Sequence, residues 1–144
     1  MKHIVLLVDD DPGIITAFKK LVKREKYMLF TSSLPEDALA MISKKKPEIL
    51  ILNLKLQGPL GIEFLCSIKK NYPVLPVVVI TAYSNIYTMR YISQLGADGY
   101  LKMPFDVHEM LDKMQHLIDL HPDKSGLDPK LCGTGVDSTV DFGR

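Results

Sequence analysis

Asp9, Asp10 and Asp11 follow the apolar run 3–8 as three consecutive carboxylates. Carboxylates crowded in this way repel one another unless a hard cation such as magnesium takes their oxygens. A second apolar run, Ile49 to Leu52, ends in Asn53, a third ends at Thr81, and a fourth ends at Met103-Pro104. Runs of this kind read as parallel strands covered on both faces, and ligands of such sheets sit at the carboxyl ends of the strands. The four polar endings should therefore converge on one shallow site suited to a cation and a phosphoryl group. Asn53 stands where an acid would complete it. A neutral amide has neither the charge to attack phosphorus nor the chemistry to form an acyl phosphate. Its oxygen can still ligate a metal, but losing a unit charge forfeits roughly 4 kcal/mol of raw attraction at about 4 Å and an effective dielectric of about 20. Magnesium at this acidic cluster is expected to be weak or absent. The plainer role for Asp10 and Asp11 is to begin a helix at Pro12, where acids favour the positive end of the dipole, and Asp11 is assigned to it.

The elements that must position these residues follow from periodicity and punctuation. A strand over 3–8 leads into a helix from Pro12 to about Lys26, with Pro12 suited to a first turn, and a short strand spans Tyr27 to Thr31. Ser33-Leu34-Pro35-Glu36 has the spacing of a capping box, opening a helix with Ala38, Leu39 and Ile42 on its apolar side that stops before Pro47. Strand three covers Ile49 to Leu54. A Gly58-Pro59-Leu60-Gly61 turn precedes a helix through Asn71, and Pro73 and Pro76 bracket the loop into strand four, Val77 to Thr81. A helix from about Asn85 to Leu95 ends at Gly96, a natural left-handed cap. Strand five spans Gly99 to Lys102, and the last helix, capped near Asp106, runs to about Leu120. Five strands alternating with five helices specify a single α/β domain with a doubly wound parallel sheet. Beyond His121 proline and glycine interrupt the pattern, so 121–144 reads as a linker or disordered tail, or as the start of a truncated output domain.

The order of landmarks resembles the receiver domain of two-component response regulators over residues 1–120. It runs from Val8-Asp9-Asp10 through Asn53-Leu54-Lys55-Leu56-Gln57-Gly58 and Ile80-Thr81-Ala82-Tyr83 to Gly96-Ala97-Asp98-Gly99-Tyr100-Leu101-Lys102-Met103-Pro104-Phe105. The resemblance implies a flavodoxin-like strand order 2-1-3-4-5. It implies magnesium ligands at Asp9 and Asp10, a phosphorylated aspartate at the place of Asn53, and a phosphoryl-contacting lysine at the place of Met103. It also implies a switch pair at Thr81 and Tyr100 and a cis bond before Pro104. Thr81 and Tyr100 have bland readings too, as a strand end and a β-favouring ring. Methionine donates no proton and carries no charge, so one acid and one base are lost together and the formal charge of the pocket is unchanged. Such paired loss suggests a pseudo-receiver, a signalling module working by protein contact and independent of phosphorylation. Lys102 is the alternative source of a charge, although a strand neighbour points to the opposite face.

On the fourth helix, Ile86, Met89 and Ile92 should share the buried arc, leaving Tyr87 and Tyr91 as an exposed aromatic pair. Tyrosine is a favoured interface residue. The resemblance implies contacts with a histidine kinase, an output domain or a second copy through the face of helix 4, strand 5 and helix 5. Met110 and Met114 read as core filler.

The 18 basic and 17 acidic residues give a formal net charge of +1, so no nucleic-acid footprint is expected. Lys19-Lys20, Lys23-Arg24 and Lys44-Lys45-Lys46 fall near predicted helix ends, where cations complement the dipole. No apolar stretch approaches a bilayer span and no signal-peptide pattern opens the chain, which points to the cytoplasm and away from membranes. Cys66 and Cys132 lack metal-ligand spacing, so reduced thiols are expected. The rival class is an enzyme, a haloacid-dehalogenase-like magnesium-dependent phosphohydrolase using Asp9 and Asp11. It lacks an evident late acidic motif. A flavin carrier would need a phosphate loop where three aspartates would repel the phosphate.

Overall fold

A computed structural model describes residues 3–23, 26–54, 60–82 and 86–120. Its elements run β1 (His3–Val8), α1 (Pro12–Lys23), β2 (Tyr27–Ser32), α2 (Pro35–Lys45) and β3 (Ile49–Asn53). They continue as α3 (Leu60–Asn71), β4 (Val77–Thr81), α4 (Ile86–Gln94), β5 (Gly99–Lys102) and α5 (Val107–Leu120). The strands are all parallel and ordered β2-β1-β3-β4-β5, the arrangement expected from the sequence.

Alternation along each strand sorts the apolar residues into two cores. Val5, Leu7, Ile49, Ile51, Val78, Ile80 and Leu101 pack with α1 and α5. Leu6, Val8, Leu50, Leu52, Val77 and Val79 pack on the other side with Ala38 and Ile42 of α2, Phe64, Leu65 and Ile68 of α3, and Ile92 of α4. Both faces being covered explains why the strands read as unbroken hydrophobic runs. Met110 and Met114 are fully buried in the first core, as filler.

Several element ends differ from expectation. Lys26 lies outside α1, because its carbonyl already accepts the N–H of His3 and so belongs to the ladder. β2 continues to Ser32, whose carbonyl accepts the N–H of Asp9 at 2.9 Å. The capping box at Ser33 does not form. Leu34 is the N-cap, with no side-chain cap bond, and Pro35 occupies the first helical position, where its fixed φ starts the helix and its missing N–H costs nothing. Ser32 supplies the nearby hydroxyl, donating to the Leu34 carbonyl at 2.9 Å. On α4, Ile92 is buried, but Met89 is 43% exposed and does not share its arc.

Two helix ends close with left-handed residues. Lys46 (φ 49°) ends α2, its N–H donating to Ile42. Gly96 (φ 109°) ends α4 with Gly96 N–H to Ser93 O and Ala97 N–H to Ile92 O, a Schellman closure. Beneath it, Lys69 Nζ of α3 reaches Pro73 O at 3.1 Å, Leu75 O at 3.0 Å and Asp98 Oδ2 at 3.0 Å. Asp98 Oδ2 also accepts the N–H of Val77 at 2.9 Å, tying the start of β4 to the α4–β5 turn.

Candidate functional site

Parallel pairing brings all five strand ends to one side of the sheet. Val8 is level with Leu52, Asn53 with Ile80, and Thr81 with Lys102, so Asp9, Asn53 and Thr81 lie on adjacent strands at nearly one height. The backbone fixes them there: Asp9 N–H donates to Ser32 O, Leu54 N–H to Ile80 O, and Met103 N–H to Thr81 O at 2.8 Å.

Asp9 is almost wholly buried, at 4% exposure, and both its oxygens are engaged. Oδ1 accepts the N–H of Asp11 at 3.0 Å, and Oδ2 accepts the side-chain N–H of Asn53 at 2.9 Å. A buried carboxylate needs such donors to offset its lost hydration. The amide of Asn53 must present nitrogen rather than oxygen here, since two acceptors would repel. Its oxygen, the one atom able to ligate a cation, is therefore the branch not facing Asp9. Asp10 is exposed. Asp11 caps α1: its Oδ1 accepts the N–H of Gly13 at 2.8 Å, and its carbonyl accepts that of Ile15. Among the described residues no three His, Cys, Asp or Glu side chains gather as a metal site. Of the two residues expected to hold magnesium, Asp9 already has both oxygens bonded within the protein, one of them to the amide of Asn53.

Thr81 is wholly buried, and Tyr100 is half-buried with its ring against the core shared with α2, α3 and α4. Tyr100 is level with Val79, so its side chain and that of Thr81, two residues on, lie on the same sheet face. Burial pushes the Tyr100 hydroxyl above the ordinary tyrosine pKa. Met103 turns to the opposite face and packs with Phe105 against the core of α1 and α5. Lys102 is exposed. The Met103–Pro104 peptide bond is cis. Tyr91 is 50% exposed, whereas the side chain of Tyr87 lies outside the described residues, as do residues 121–144.

The response regulator receiver domain model matches residues 5–115. The chain belongs to the response regulator receiver domain family. It is 29% identical over 120 residues to sporulation initiation phosphotransferase F of Bacillus subtilis, covering 83% of this chain and 97% of that one. It is 33% identical over 113 residues to the nitrogen assimilation regulatory protein NtrX of Azorhizobium caulinodans, covering 77% of this chain. There it spans only 25% of the relative. Among solved structures, the apo receiver domain of nitrogen regulatory protein C superposes with a TM-score of 0.74 at 29% identity, over 84% of this chain and 98% of that one. A CheY-like receiver domain from Methanospirillum hungatei shares the fold with a TM-score of 0.76 at 24% identity, over 85% of this chain and 98% of that one.

The phosphohydrolase alternative gains no support from these matches. One of its two acids, Asp11, spends its carboxylate on capping α1. No helix among the described residues is long and apolar enough to cross a membrane. The sequence reading missed the direct bond between Asn53 and Asp9 and the role of Ser32. For Ser32 the signal was available, since Pro35 at the first helical position moves the cap one residue past Ser33.

Proposed function

We propose that this receiver domain is a signal transduction module that works by protein contact without being phosphorylated at residue 53. The observation that carries the proposal is the hydrogen bond from the Asn53 amide to Asp9 Oδ2. In the family this position holds the aspartate that receives the phosphoryl group, and the acid after β1 helps hold magnesium beside it. Here the amide neutralises nothing, attacks nothing, and satisfies the buried acid directly. The pocket is complete without a cation, so magnesium binding at Asp9 and Asp10 is weak or absent. Met103 supports the same reading, since it stands at the position of the family's phosphoryl-contacting lysine and its half-buried side chain packs against the apolar core of α1 and α5.

Without a phosphoryl group, Thr81 and Tyr100 have nothing to report and hold one arrangement. Signalling then depends on the surface presented. The face of α4, β5 and α5, with Tyr91 and Met89 exposed, is the contact surface for a histidine kinase, an output domain or a second copy. Beryllofluoride with magnesium tests the pocket: amide NMR shifts of Asn53, Thr81 and Tyr100 should not move, and shifts of all three on titration would refute the proposal. Tyr91→Ala tests the surface, by weakened self-association or kinase capture.

A further inference from the structure

One of the two edge strands of the sheet is β2, and it lacks the charges and prolines that commonly blunt an edge. Its sequence Tyr27-Met28-Leu29-Phe30-Thr31-Ser32 has no charge and no proline, and Met28 is 45% exposed. The carbonyls of Lys26 and Ser32 turn inward to β1. By alternation, Leu29 and Thr31 direct their N–H and C=O groups outward. A groove of about 610 Å³ opens beside the carboxyl end of this edge, where Thr31, Met41, Lys44 and Lys45 line it together with the acids Asp9 and Asp37. It joins open backbone, apolar side chains, two lysines and the carboxylate of Asp37, while Asp9 has both oxygens bonded within the protein. Its basic rim is held over the strand, with Lys45 Nζ 5.1 Å from the centre of the Phe30 ring.

A matching sequence lies in the same chain. Val136, Ser138, Val140 and Phe142 alternate with Asp137, Thr139 and Asp141, a period of two with both acids on one face. The end of α5 is placed to deliver it, because the Tyr27 hydroxyl at the start of β2 donates to Gln115 Oε1 of α5 at 3.1 Å. The 15 residues 121–135 between Leu120 and Val136 reach at most about 50 Å. That exceeds the span of a domain whose radius of gyration is about 13 Å.

We propose that residues 136–142 dock in this groove within the same molecule, pairing with β2 as a sixth strand and setting Asp137 and Asp141 against Lys44 and Lys45. The tether makes the event intramolecular, so a short strand suffices. The proposal is independent of whether residue 53 is phosphorylated.

The test is amide hydrogen exchange by NMR on the full chain, at two protein concentrations, beside a Val140→Pro, Asp141→Pro double variant. Two successive prolines remove a ladder donor in either register. Leu29 and Thr31 should exchange at least about tenfold faster in the variant, while Leu7 and Ile51 of the central strands stay unchanged and concentration has no effect. Equal exchange of Leu29 and Thr31 in both proteins would overturn the proposal. So would protection that grows with concentration, the signature of a second copy at the edge.

Discussion

The side-chain nitrogen of Asn53 donates to Oδ2 of Asp9 at 2.9 Å, joining the ends of β3 and β1 across the site where a receiver domain handles phosphate. Asp9 is buried, so this bond matters for stability as well as for chemistry. Replacing Asn53 by Asp turns a donor into a second anion beside a buried one. We expect a loss of about 1–3 kcal/mol in urea unfolding without divalent ions. Magnesium should then raise the melting temperature of the Asn53→Asp, Met103→Lys double variant and leave that of the parent unchanged. Equal rises in both would mean that the parent pocket already holds the ion.

At the far end of the sheet, Lys69 serves three acceptors at once, two carbonyls and the carboxylate of Asp98. With its side chain 14% exposed and that of Asp98 29% exposed, the pair is only moderately screened by solvent. Lys69→Met keeps the stem and removes the donors, and should cost about 1–3 kcal/mol. Unfolding by denaturant measures it, and no change would show that water replaces the ammonium at little cost.

Gly96 combines a φ of 109° with a close neighbour, since an added Cβ would lie 2.8 Å from Lys69 Cγ. The flexible lysine can yield, but the backbone conformation cannot be relieved in that way. Gly96→Ala should destabilise by about 1–2 kcal/mol. Added to Lys69→Met it should cost close to the sum of the two single changes, because the alanine strains the backbone while the methionine removes only the ammonium and keeps the stem.

Tyr100 gives a pH prediction. Burial raises its pKa in the folded state above the unfolded value. A raised folded value means that this contribution to stability is complete below the ordinary tyrosine pKa and is lost as pH rises through the folded one. Phenolate absorbance, taken as the difference between the parent and Tyr100→Phe, should show this ring ionising later than an ordinary tyrosine. Stability of the parent should fall more steeply than that of the variant over the same alkaline range.

Much of the fold was legible because the strands are buried on both faces, so Ile49 to Leu52 and Val77 to Ile80 appear as unbroken apolar runs between helical stretches. Gly96 announced its cap for an equally local reason, the backbone conformation only glycine adopts cheaply. What could not be read was side-chain geometry between distant positions. Nothing local marks Lys69 as a tie, yet it reaches an acid 29 residues away. The sequence placed Asn53 and Asp9 at one site, but not the bond that lets each satisfy the other. Met89 was misassigned because a nine-residue helix gives its hydrophobic arc too few points to fix a phase.

The most direct measurement is intact mass after incubation with acetyl phosphate and magnesium, with the Asn53→Asp, Met103→Lys variant alongside. The parent should keep its unmodified mass throughout, while the double variant has the groups to accept a phosphoryl group. A phosphoryl adduct on the parent, mapped to residue 53 or its neighbours, would contradict the proposed independence from phosphorylation.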